Sequence, residues 1–117
     1  MGERFNASAW VDLIARAGAR YFALTTKHHD GYALFDTAHT SDRSSVKLGP
    51  RRDFLKELMH AAQTERPTLK RGTYFSMPEW FHPDYQTHGK VLFVSCGQAL
   101  ADYLSQADSR TILTVQI

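Results

Sequence analysis

A chain of 117 residues, 43% hydrophobic and 12% aromatic, has the material for one modest core, which excludes intrinsic disorder and a coiled coil. Its net charge of +2, from 14 Lys and Arg against 12 Asp and Glu, is too small to argue for nucleic acid or an acidic membrane surface. The single cysteine, Cys96, excludes an internal disulfide and a cysteine-rich zinc site, and no apolar run is long enough to cross a bilayer. Residues 1–6 carry no apolar run of signal-peptide length, so Asn6-Ala7-Ser8 is taken as a chance match to the glycosylation acceptor pattern.

Residues 8–17 read as an amphipathic helix, with Ser8 as the expected cap and Trp10, Leu13, Ile14 and Ala17 on one stripe. Gly18 is placed to close it in the left-handed conformation. Residues 19–25 follow as a strand apolar on both faces, the pattern of a parallel strand covered on both sides. From Lys27 to Gly49 no period emerges, and Thr40 to Ser45 has the composition of a loop. Connections this long in compact domains are usually functional or disordered, and this one leaves directly from a strand end. Helix signals resume at Gly49-Pro50, with Phe54, Leu55, Leu58, Met59 and Ala62 as the stripe, and stop at Thr64 to Pro67. Residues 69–75 read as a second strand, followed by an aromatic loop from Ser76 to Tyr85 that two prolines bend.

This order makes residues 1–85 a repeating α/β unit, in which functional groups belong on loops leaving the carboxyl ends of strands. Residues 86–117 form a divergent tail that reads as β-α-β: a strand over 91–96, a helix over 98–107 and a strand over 111–117.

Two clusters occupy strand ends. His28 and His29 admit three roles: a metal pair, a structural pair bonded to backbone carbonyls, or polar ligand binding where the strand breaks at Asp30-Gly31. No His-Glu-x-x-His spacing supports the first. Tyr74, Glu79 and Trp80 suit either carbohydrate, whose C–H face packs on an aromatic ring, or ordinary aromatic packing. Asp30, Asp36, Asp42, Glu79 and Asp84 include no pair that spacing alone marks as catalytic. Arg51 and Arg52 beside Lys47 read as a solvated first helical turn rather than a phosphate site. A Walker loop, a dinucleotide fingerprint and a Gly-x-Ser-x-Gly elbow are absent.

Taken together, Ala17 through Tyr32, then Gly49-Pro50-Arg51-Arg52-Asp53, then Gly72 through Ser76 with Glu79 through Tyr85, closely resemble the α-L-fucosidases of glycoside hydrolase family 29, over roughly residues 5–85. The resemblance implies an α/β fold, a partial TIM-like (β/α) barrel too short to close, since eight strands and helices take about 250 residues. It implies a fragment of a retaining enzyme that hydrolyses terminal α-L-fucose from glycoconjugates with two carboxyl groups, a nucleophile and an acid/base. By the same resemblance His28 and His29 bind fucose hydroxyls, Tyr74 lines the sugar pocket and Trp80 is a further candidate.

The family's nucleophile lies in a Trp-x-Asp-Gly-type segment, and none follows Tyr85. The expectation is therefore a chain with part of the fucose pocket, no catalytic residue of its own, no cofactor, no metal and essentially no turnover. The expected partner is fucose or a fucosylated glycan, not nucleic acid or a membrane, with self-association through open strand edges. Family members are often secreted or lysosomal. Two other readings stand beside this one: a non-catalytic fucose-binding or fucosidase-docking module, and a metal-dependent hydrolase using His28, His29 and Asp30.

Overall fold

The computed structural model describes residues 2–82 and 111–116, in the order α1 (Ala7–Arg16), β1 (Tyr21–Lys27), α2 (Phe54–Glu65), β2 (Lys70–Ser76) and β3 (Thr111–Gln116). The strands form one parallel sheet in the order β1-β2-β3. Parallel neighbours need a crossover, and α2 supplies the one between β1 and β2. The strand expected over 111–117 is present as β3, while the strand and helix expected over 91–96 and 98–107 lie outside the described residues.

Asn6, not Ser8, caps α1: its backbone is extended and its side chain accepts from the Ala9 amide. Ser8 sits two residues past the cap, already inside the helix, and instead donates to Glu65 at the far end of α2. The buried residue of α1 is Val11, whereas Trp10 and Leu13, expected on the apolar stripe, are 51% and 60% exposed. The reason is the direction of packing. Val11, Leu58, Ala61, Ala62 and Leu69 form one cluster, and Trp10 lies outside it, edge-on to the Phe5 ring.

The left-handed Gly18 closes α1 as expected, with Ala19 donating back to the Ile14 carbonyl. That exit uses Ala19 and Arg20, so β1 starts two residues later than its composition suggests. Among the described residues only one face of β1 is covered. Phe22 and Leu24 pack toward the helices, while Tyr21, Ala23 and Thr25 are exposed, correcting the expectation of two covered faces. Among the described residues both helices lie on the same side of the sheet, and no strand pairs with β1 on its outer side beyond the bridge Lys27↔Ala33.

The register of β1 on β2 is regular from Tyr21↔Lys70 to Thr25↔Tyr74 and then slips, so that Lys27 faces Phe75. Thr26 is the extra residue, and its hydroxyl donates to the Tyr74 carbonyl at 2.8 Å. Residue-by-residue alternation would put Lys27 with Tyr74 on the open face. The slip puts it on the covered face with Phe75.

The long connection after β1 is packed rather than loose. Ala33 donates to Arg43 and accepts from Ser45, Leu34 donates to the Thr26 carbonyl, and Ala33, Phe35, Thr37, Ser44 and Ser45 are buried. Ala33 and Phe35 join Leu55, Met59 and Phe75 in a second core cluster. Helix α2 then begins at Phe54, not at Pro50, because Arg51 is left-handed and Asp53 takes the cap. One Asp53 oxygen accepts from Lys56 and the other from Asp36 in the preceding loop. Asp53→Ala therefore removes a cap and a loop tie together, and thermal unfolding should read a loss of about 2 kcal/mol, the upper end for a cap alone.

Arg52 is not a solvated residue of a first turn. It forms a bidentate pair with Glu57, donates to the Phe5 carbonyl at 3.0 Å and lies over the Phe5 and Phe54 rings. The hydrogen bond to Glu57 holds its guanidinium above the ordinary value for arginine.

Candidate functional site

Beyond the last residue of β1 the chain turns sharply, with Gly31 donating to the His28 carbonyl at 3.0 Å. The turn keeps both imidazoles together, 4.1 Å between ring centroids, instead of sending them to opposite sides as an extended backbone would. His28 stacks on Tyr74 of β2 at 6.0 Å and 22°, and His29 lies against Trp80 at 5.2 Å and 39°. Tyr74, His28, His29 and Trp80 thus form a continuous row of rings across the carboxyl ends of two adjacent parallel strands. His28 and Trp80 are exposed, while His29 and Tyr74 are half-buried.

Hydrogen bonds fix this row at its middle. Nδ1 of His29 is bonded to the Ser76 hydroxyl, leaving Nε2 as the ring nitrogen for other partners. The Trp80 amide donates to the His29 carbonyl at 2.8 Å. Beneath the row Lys27 is fully buried, its ammonium 3.7 Å from the Glu79 carboxylate. Alongside, Arg43 donates to the Asp30 carbonyl at 2.8 Å and lies over Phe81.

All four site residues expected from the sequence are therefore brought together, and Glu79, expected among sugar-facing groups, is turned inward to Lys27. The other carboxylates are engaged locally or lie elsewhere. Asp36 accepts from Ala38, Asp42 pairs with Lys47, and Asp84 lies outside the described residues. Among the described residues no three His, Cys, Asp or Glu side chains converge as a metal centre requires. An apolar cavity of about 640 Å³ lined by Phe5, Trp10, Leu24, Leu34, Phe54 and Leu58 contains none of the four rings.

Sequence reasoning missed Ser76 and Lys27. Ser76 follows Tyr74 by two residues on a strand, which places both on one face, so period-2 alternation was the available signal. For Lys27 no signal existed, because its burial depends on a register slip that composition does not announce.

A family profile described as α-L-fucosidase matches residues 1–105. The chain belongs to the α-L-fucosidase family. Plasma α-L-fucosidase of Rattus norvegicus is 47% identical over 79 residues, covering 68% of this chain and 17% of that protein. The α-L-fucosidase of Dictyostelium discoideum is 38% identical over 110 residues, covering 94% of this chain and 23% of that protein. The fucosidase chain therefore spans less than a quarter of the length of these curated relatives. Both the profile and the second relative extend past residue 85, where the resemblance read from motifs stops.

Among solved structures, Thermotoga maritima α-fucosidase superposes with a TM-score of 0.77 at 27% identity, covering 100% of this chain and 30% of that one. Its complex with fucose superposes at 0.73 and 28% identity, covering 99% and 29%. The parallel strands of this chain match a portion of a (β/α) barrel of fucosidase type.

Proposed function

We propose that the described part of this chain is the hydroxyl-binding wall of an α-L-fucose site, and that these 117 residues bind fucose without hydrolysing its glycosides. One observation carries the reading: the four-ring row of Tyr74, His28, His29 and Trp80 at the carboxyl ends of β1 and β2. An aromatic face suits the C–H face of a sugar, and imidazole nitrogens suit its hydroxyls. The fucose complex named above, at 28% identity, supports the choice of sugar. Retaining hydrolysis needs two carboxyl groups flanking the glycosidic bond, and Glu79, next to Trp80 in the chain, is buried against Lys27.

The test is calorimetric titration with L-fucose beside an assay of fucose release from an aryl α-L-fucoside. Heat without release is the expected result; release abolished by His28→Ala would overturn the non-catalytic part, and no heat would overturn the binding part. Trp80→Ala should weaken fucose affinity about tenfold while leaving the urea midpoint nearly unchanged, since the ring is 52% exposed.

The docking-module reading also has support, from the side of β1 that no described strand pairs. Co-elution with a full-length fucosidase in size analysis would favour it.

A further inference from the structure

We propose that Lys27 and Glu79 are positioning residues for the ring row, an internal knot that holds the two ring-bearing loops at their working separation; the proposal rests on the fucose-binding reading of that row. The Lys27 ammonium has three N–H donors and meets three oxygens: Glu79 Oε2 at 3.7 Å, the His28 carbonyl at 3.5 Å and the Pro78 carbonyl at 3.5 Å. A fourth side is closed by the Phe75 ring, 4.9 Å from the ammonium to the centroid.

These oxygens come from different places. His28 belongs to the loop after β1, while Pro78 and Glu79 belong to the loop after β2. One cation therefore ties the loop that carries both histidines to the loop that carries Trp80. Gly31 completes the tie from the other side: a Cβ there would come within 2.4 Å of the Glu79 carboxylate, so the first loop rests directly on the anion.

Neither charge is placed to touch a ligand. The Lys27 side chain is wholly buried and that of Glu79 is 6% exposed, on the side of the sheet away from Tyr74. Replacing a buried ion pair by apolar residues of similar volume is often neutral for stability, so a stabilising role alone would leave the pair dispensable. A positioning role would not.

The experiment compares the full chain with the double variant Lys27→Met/Glu79→Leu, using urea unfolding, amide hydrogen exchange and fucose titration. The expected result is a urea midpoint close to that of the natural chain, with exchange of the Trp80 and Gly31 amides about tenfold faster and fucose affinity about tenfold weaker. Amides of Leu24 and Thr73 in the sheet should exchange at unchanged rates. Unchanged exchange and affinity in the double variant overturn the proposal. If the double variant does not fold, Glu79→Gln decides the matter, since it removes the charge and keeps an oxygen: faster exchange at Trp80 supports the knot, and unchanged exchange overturns it. A natural chain that binds no fucose removes the sugar reading alone, because the exchange comparison still establishes whether the ion pair joins the two loops.

Discussion

Phe75→Ala is expected to cost about 4 kcal/mol, most of the stability of a domain this small. Phe75 is 1% exposed, lies on the central strand β2 and closes a cluster with Ala33, Phe35, Leu55 and Met59. Those four come from the long loop and from α2, so the ring is where the sheet, the helix and the loop meet. Its removal leaves a cavity among groups held by backbone hydrogen bonds, which limits collapse around it. It also strips the apolar cover from the Lys27 ammonium.

The neighbouring change Tyr74→Ala tests the same strand from its other face. Tyr74 is half-buried and stacked on His28, so its loss should cost only about 1 kcal/mol of stability and appear chiefly as weaker fucose binding. Urea unfolding of both variants makes the comparison. Equal losses would mean that the two faces of β2 do not have the separate roles assigned to them.

Gly31→Ala is expected to lower stability by about 3 kcal/mol and to abolish measurable fucose binding. Gly31 has φ +79°, where a side chain costs about 1 kcal/mol or more, and its added Cβ would meet three atoms of Glu79 within 2.7 Å. Glu79 is 5% exposed and has Lys27 as its partner, so moving it leaves a buried cation uncompensated. Gly18→Ala is the matched control: φ is +76° there too, but nothing lies within 4 Å, and the cost should stay near 1 kcal/mol. Equal unfolding midpoints for the two variants would show that the Glu79 carboxylate is free to move aside.

The elements of residues 1–82 were legible because their periods are strong. Leu55, Leu58, Met59 and Ala62 recur at helical spacing, and all four are buried in α2. Boundaries were less legible, because capping is a competition among neighbours. Asn6 displaced Ser8 and Asp53 displaced Pro50, each through a backbone conformation that composition does not specify. The covered faces of β1 were misread for a different reason: apolar Tyr21 and Ala23 were taken as evidence of a second layer, and no described helix or strand lies over them.

At the site, the ring residues were legible as strand-end clusters, since His28 and His29 follow β1 and Trp80 follows β2. Their juxtaposition was not, because it depends on which strands are neighbours. That Lys27 and Glu79 pair in the interior beneath them was not legible at all. A lysine beside a His-His turn looks like one more exposed polar group until the pairing of Lys27 with Phe75 shows which way it points.

The slip at Thr26 reaches further than one side chain. A strand has only two parities, and a single inserted residue exchanges them for everything downstream. Upstream of Thr26 the odd positions look outward; Lys27, an odd position, looks inward. A designer grafting Thr25 through His29 onto another parallel strand would have to reproduce the slip at Thr26 as well as the residues. Laid down in strict alternation instead, the same residues would present Lys27 to solvent and turn His28 toward the covered face.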